Sequence, residues 1–393
     1  MDDTFFTPKP PPPVLALDAR WRSVLDGVAR SESYPTTNDV KALGAAVARL
    51  SAYYNGLERE IPARTALAAR LSFSFARDVP KATAAVSELV ASGWPGAGDT
   101  LRVLDLGAGL GAMTWGVVRA LSASGWRGTV EATLVDRDAA ALALASRIAS
   151  AAGGLEPGVT LRARTAVGDV GEPPPVTADL VIVGQAFSEM HRALPADQRV
   201  ARHAEILARL LDRRLSEHGV LVVVEPALRD RTRHLHEVRG RLIDAGWRVF
   251  APCLHDATCP MLARPDDWCH EDLPVDLPDW LAPVARAAGL RFQGLTFSYL
   301  VLRRDRATLR ELAPARAQRV VAVPRVTKGK REIELCGDDG RGPGGRVVTR
   351  LDRSATPANE PWDDLARGDL VSLEPPGDRV QPETVVRRSP RLR

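Results

Sequence analysis

Asp105-Leu106-Gly107-Ala108-Gly109-Leu110-Gly111 is the sharpest chemical signal in the chain, because its glycines serve backbone rather than side-chain chemistry. Glycine turns a chain tightly and lets a ligand approach main-chain N–H groups at the start of a helix. The apolar run LRVLDL before the loop and MTWGVVRALSA after it read as that strand and that helix. The letters also satisfy G-x-G-x-x-A through Gly107, Gly109 and Ala112, so the loop alone admits a dinucleotide as well as S-adenosylmethionine. Three acids favour S-adenosylmethionine. Asp105 precedes the glycines, where a carboxylate meets the amino end of a methionyl group. Asp136 ends the next strand, where it accepts both ribose hydroxyls. Asp169, after Gly168, follows the third strand and is placed for the adenine amino group, or equally for a helix N-cap.

The fourth strand end, Gly184-Gln185-Ala186-Phe187-Ser188-Glu189-Met190-His191, should decide the reaction. Gln185 is expected beside the cofactor, with Glu189 and His191 as candidate bases or substrate contacts. The Asp/Asn-Pro-Pro-aromatic pattern common in amino-methylating enzymes is missing. No cysteine occurs in the first 252 residues, which argues against covalent attack on a cytosine ring.

Four cysteines, Cys253, Cys259, Cys269 and Cys336, carry the second kind of chemistry. Three sit in a Pro-rich, aperiodic stretch with His255 and His270, and such clustering points to metal more than to disulfides. Four thiolates match a [4Fe–4S] cluster; zinc with Cys and His is the rival. Spacings of five and nine intervening residues match no ordinary zinc-finger pattern. Were Cys336 a ligand, metal would staple its segment onto the body.

Short apolar strands alternating with helices from residue 101 onward predict an α/β fold. It is a parallel, Rossmann-like sheet closed by an antiparallel edge near LRFQGLTFSYLVLRR, as in class I methyltransferases. Residues 1–17 read as a disordered Pro-rich leader and 18–95 as a helical domain. The cofactor domain spans 96–310 with its cysteine insertion at 251–275. A small β domain (possibly OB-like) spans 318–375, and a disordered tail 376–393.

The net charge of +4 is uneven: residues 303–353 carry 14 basic against 7 acidic side chains. A local basic surface suits a polyanion such as RNA, with Arg325, Lys328, Lys330 and Arg331 the expected phosphate contacts. No apolar run approaches the ~20 residues that span a bilayer. The N-terminus resembles no export or transit signal. A cytoplasmic, membrane-free monomer is expected.

Taken in order, several segments resemble the methyltransferase-like family of mitochondrial small-ribosomal-subunit assembly factors and their bacterial relatives. They are residues 69–80 (ARLSFSFARDVP), the Gly loop, GVLVVVEPA, Cys-x-His-x-x-x-Cys-Pro, Trp-Cys-His and IELCGDDG. The likeness covers roughly residues 60–375. It implies S-adenosylmethionine at Asp105–Gly111, an iron–sulfur cluster on Cys253, Cys259, Cys269 and Cys336, and attachment to small-subunit (16S-type) ribosomal RNA. One stretch departs: the Arg/Lys-rich segment expected after the fourth cysteine is the looser RVVTRLDRSATPANEPWDDLARGD. A methyltransferase acting on that RNA is therefore the leading expectation. A non-catalytic assembly factor comes second and an NAD-dependent enzyme third.

Overall fold

The computed structural model describes residues 15–96 and 98–389. Most of the expected leader lies outside that range. Its last part does not behave as a leader: Leu17 is buried, and its carbonyl accepts from Trp280 Nε1.

Helices α1 (Ala19–Ser31), α2 (Val40–Tyr54), α3 (Ala63–Ala69) and α4 (Phe75–Ala91) form an N-terminal layer, with a π-helical turn, Arg70–Ser74, joining the last two. Asp18 caps α1 by accepting from Arg20 N and Trp21 N. Pro80 lies inside α4. The lost backbone bond is outweighed by tertiary packing, since nearly every residue from Val79 to Val90 is buried. Gly116 lets α4 approach closely: a Cβ there would stand 2.4 Å from that of Ala82. This layer is not a free-standing unit; its apolar residues belong to one continuous core with the sheet.

The body runs β1 (Thr100–Leu106), α5 (Ala112–Ala123), β2 (Gly128–Asp136), α6 (Ala139–Ala151), β3 (Val159–Val167), β4 (Ala178–Gly184), α7 (Ala196–Arg213), β5 (Leu215–Glu225), α8 (Arg229–Asp244), β6 (Val249–Ala251), β7 (Glu271–Leu273), α9 (Ala282–Ala287) and β8 (Leu295–Arg303). Strand order is β3-β2-β1-β4-β5-β8-β6. The first five are parallel and β8 is antiparallel to both neighbours. Alternate residues feed opposite faces: Val220, Val222 and Val224 join the core under α1–α6, while Leu221 and Val223 join the one under α7 and α8. The antiparallel edge expected near LRFQGLTFSYLVLRR lies at Leu295–Arg303. One long strand, β8, forms there, and its partners are β5, β6 and, from the cysteine insertion, β7.

After α10 (Leu309–Leu312) comes the β module: β9 (Gln318–Val320), β10 (Arg325–Thr327), β11 (Lys330–Asp338), β12 (Pro343–Leu351), β13 (Leu370–Glu374), β14 (Arg379–Val380) and β15 (Val385–Ser389). The strand path is open, β14-β12-β11-β9-β13-β15, with β10 on β11, rather than a closed barrel. Of the tail expected to be disordered over 376–393, the described residues 376–389 are part of it. β15 pairs with β13 from Leu370↔Ser389 to Glu374↔Val385, and Val380 and Val386 enter the module's core. The run Val385-Val386-Arg387-Arg388 shows no apolar–polar alternation, which hid a strand whose one buried side chain is Val386.

Candidate functional site

The sheet order reverses between β1 and β4, the position where open α/β sheets bind ligands beyond their C-terminal strand ends. A cavity of about 850 Å³ lies there, floored by the Gly loop and roofed by α2, the π-turn and α4. Gly107 (φ +70°) needs glycine on two counts: its conformation is left-handed, and a Cβ would fall 2.9 Å from that of Ala186. Gly107 N and Ala108 N both donate to Val135 O, which ties the loop to β2. Gly109 (φ +51°) differs, because a Cβ there would meet no protein atom within 4 Å. Its side faces open cavity.

Asp136 lines the cavity and fixes the loop, accepting from Gly109 N at 2.8 Å and Asp138 N at 2.9 Å. Asp169 also lines it. It accepts from Gly171 N at 2.6 Å and pairs with Arg137, so it shapes its own turn while facing the cavity. Gln185 reaches the wall with φ +55°, a strained conformation of the kind held at functional sites. Glu189 and His191 stand on the same wall, and Glu189 is paired to Arg192 at 2.6 Å.

Asp105 is placed otherwise. It is fully buried behind the loop and is not a wall residue; one oxygen, Oδ2, accepts from Thr114 N (3.1 Å) and Thr114 Oγ1 (2.8 Å). Its Oδ1 has no hydrogen-bond partner among the described residues. Burial pushes this carboxyl up to about 7 despite the Thr114 bonds.

Two acid–base groups were missed in the sequence. Glu225, at the end of β5, is buried and receives Phe187 N (3.0 Å) and Ser188 N (3.1 Å), holding the whole fourth-strand turn; burial pushes it up to about 7. Lys81 on α4 is a buried wall residue paired with Asp78 at 2.8 Å, and burial lowers its pKa. The only sequence signal for Glu225 was an acid closing an all-apolar strand; Lys81 had none.

The cysteines come from four places: Cys253 after β6, Cys259 before the turn Pro260–Leu262, Cys269 before β7, and Cys336 on β11. All are free thiols. On β11 the residues Ile333 and Leu335 face the module's own core, so Cys336 points the opposite way, toward the body, with Sγ 3.4 Å from His255 Nε2. Gly345, opposite Cys336 in the ladder, lies beside Pro260. Burial, then charge at Cys253, pushes Cys259 up to about 11. Burial, then Cys253 and Cys259, pushes Cys336 up to about 12. Cys269 is driven well up by burial and then by the other three. Among the described residues no three His, Cys, Asp or Glu side chains are arranged as a metal-ligand group.

The environment still carries a charge that four neutral thiols do not balance. Arg239, fully buried, donates to the carbonyls of His255 and Ala257, and its Nε has no partner among the described residues. Burial lowers the pKa of its guanidinium, while charge at Cys253 and Cys259, a hydrogen bond to Cys253 and then Asp256 act the other way and leave it raised. A buried guanidinium calls for a counter-anion. Four thiolates around either iron or zinc are anionic, so the donor set fits a metal–thiolate centre.

The four expected RNA contacts divide. Arg325 and Lys328 are exposed at the β10–β11 hairpin, with Arg325 3.8 Å from Glu334; Lys330 is half-exposed and paired to Glu332 at 2.9 Å. Arg331 does not belong with them. It shares the inward phase of Ile333 and Leu335, and its Nη2 donates to Leu365 O at 3.0 Å.

Strand order and Gly loop together define a class I methyltransferase fold. Residues 98–358, more than half of the chain, match the family described as mitochondrial small ribosomal subunit Rsm22, and the protein belongs to that family. No curated protein matches it. Among solved structures it is similar to a putative sarcosine dimethylglycine methyltransferase from Galdieria sulphuraria (16% identity over 66% of this chain and 98% of that one, TM-score 0.33). It is similar also to a SAM-dependent methyltransferase from Leishmania major (16%, 70% and 90%, TM-score 0.34) and to the plantazolicin methyltransferase BpumL with SAH (12%, 68% and 98%, TM-score 0.33).

Proposed function

We propose that the protein binds S-adenosylmethionine in the Gly-loop cavity and methylates small-subunit ribosomal RNA or an assembly intermediate of that subunit. The observation that carries this reading is the open side of Gly109 beside Asp136, a cradle that a Cβ would fill. When bound, S-adenosylmethionine supplies an electrophilic methyl group on a sulfonium. Asp136 would hold the ribose hydroxyls, Asp169 the adenine amino group, and the unpartnered Oδ1 of Asp105 the amino end. Gln185 would close the wall, and Glu189 and His191 stand where a base is wanted. Outside the cavity, Arg325, Lys328 and Lys330 would hold RNA phosphates. Such contacts make affinity fall steeply with salt.

Cys253, Cys259, Cys269 and Cys336 would hold a [4Fe–4S] cluster, ahead of zinc, with Arg239 as its buried counter-charge. Its work there is to staple the β module to the body. The family description is mitochondrial, and a cytoplasmic, monomeric, membrane-free protein acting wherever its ribosome resides is part of the proposal; no helix among the described residues is long and apolar enough to cross a membrane.

A second reading, a non-catalytic assembly factor, is favoured by the Glu189–Arg192 ion pair, which occupies one of the two candidate bases on the cavity wall. Labelled S-adenosylmethionine incubated with small-subunit particles separates the two. Transfer that Asp136→Ala abolishes supports the enzyme, and no transfer by the wild type supports the scaffold. Anaerobic purification with iron and sulfide analysis tests the cluster, and a colourless protein with stoichiometric zinc would replace it by the rival metal.

A further inference from the structure

Three imidazoles run in line from the cavity into the far helical layer. His191, on the cavity wall, has its Nδ1 3.1 Å from His203 Nε2; His203 Nδ1 is 2.8 Å from His234 Nε2. His203 lies on α7 and is fully buried, with Phe187 stacked on its ring at 4.3 Å and 17°; His234 is half-buried on α8. His191 is held at φ +54°, a left-handed conformation that a non-glycine residue keeps only when its surroundings impose it. No part of the cavity's cofactor reading uses His203 or His234.

Resting on the methyl-transfer reading above, we propose that His203 and His234 are positioning residues for His191. They hold its ring in the Nδ1–H tautomer and leave Nε2 free to take a proton from an N–H or O–H methyl acceptor on a nucleotide. The logic is that of a base oriented by a second group, itself oriented by a third. In the proposed direction His191 Nδ1–H donates to His203 Nε2 and His203 Nδ1–H donates to His234 Nε2, which fixes all three tautomers at once; the opposite direction would place the proton on His191 Nε2, and the test below separates the two. Burial first, then His234, Arg199 and His191, hold His203 down to about 3. Burial and Arg199, opposed by Asp230, hold His234 down to about 4. His191 faces Arg202, Arg137 and Arg199, and burial and these charges lower it too. The chain is therefore neutral at rest and accepts rather than donates. In the transfer, the acceptor's lone pair forms the bond to the methyl carbon and the carbon–sulfur bond breaks with its pair left on sulfur. The acceptor's proton moves to His191 Nε2, and the imidazolium returns it to water when product leaves.

The test is ¹⁵N-histidine NMR of the full chain beside steady-state kinetics. Wild type should show His191 locked as Nδ1–H. His203→Leu should release it to the Nε2–H form that free imidazole prefers. His203→Gln, which keeps an acceptor at the Nε2 position, should preserve the lock. His203→Leu should lower kcat by roughly ten- to a hundredfold, part of the ~10²–10⁴ a general base supplies, with S-adenosylmethionine affinity unchanged, and His203→Gln should recover most of it. An unchanged His191 tautomer in His203→Leu overturns the positioning role. So does a lost lock with kcat unaltered. A wild type that transfers no methyl group overturns the enzymatic reading and the catalytic use of His191, whichever tautomer the spectra show.

Discussion

The cavity and the cysteine seam are built on opposite plans. The cavity's floor is local: one loop, two strand ends and backbone bonds that close within neighbouring strands, such as Gly109 N to Asp136. The seam is assembled from the body's cysteine loops and a β strand of another module, and charge holds it shut. Arg319 on β9 donates to both oxygens of Glu88 on α4 (2.8 and 3.2 Å), to Pro252 O beside Cys253, and to Gly368 O. Among the described residues, Asp105 behind the cavity floor is a buried acid with no cation among its hydrogen-bond partners, and Arg239 at the seam is a buried cation with no carboxylate among its own. A charge left open on one side is what a ligand of the other sign closes. The two regions touch where His270, next to Cys269, lines the cavity.

The largest effect should come from the seam's ligand on the far module. Cys336→Ser is expected to match Cys253→Ser, with metal lost, stability lowered and limited proteolysis now cutting between the body and β9. Metal binding and folding are one free energy in such a site. Full metal occupancy in purified Cys336→Ser would break the comparison, leaving Cys336 a packing residue worth ~1 kcal/mol.

Next in size is the ionic clamp. Glu88 and Arg319 are both nearly inaccessible, with side chains 7% and 5% exposed. Arg319→Met takes the guanidinium away from a buried carboxylate and should destabilise by roughly 3–5 kcal/mol. Glu88→Leu with Arg319→Met should recover most of that loss, because two apolar side chains need no counter-charge. Equal destabilisation by the single and double variants in urea melts would show that the other contacts of Arg319 hold the seam.

The difference in plan also governs what could be read from the sequence. The Gly loop, Asp136 and the five parallel strands follow from local spacing, and the four cysteines from composition. Glu88–Arg319 could not be read, since neither residue carries a local cue to a partner 231 positions away. Arg331 misled because charge was read without the strand's alternation, which puts it in phase with Ile333. The terminal strand β15 was hidden by prolines and glycine just before it. His203 and His234 gave no signal, because the helices that face them together are joined through a strand.

The smallest effect tests the cavity's side of the comparison, through Asp105. Its folded pKa of about 7 lies above the ordinary 3.8, so between those values the native state holds a proton that the unfolded chain has released. Stability contributed by this group is full below the unfolded value and falls as pH rises toward 7, by up to ~1.4 kcal/mol per pH unit. Glu225, also raised to about 7, acts in the same direction. Asp105→Asn keeps an oxygen for Thr114 and removes the charge, so it should take away about half of the combined slope between pH 5 and 7. It also separates two roles for the residue. If Oδ1 takes the ammonium of S-adenosylmethionine, binding near pH 7 must drive the proton off Asp105. Titration calorimetry in buffers of different ionisation enthalpy should then show proton release by wild type and none by Asp105→Asn. Proton release identical in the two proteins would leave Asp105 as the latch for Thr114 and the start of α5, and the amino end of the cofactor would have to be held from the cavity wall.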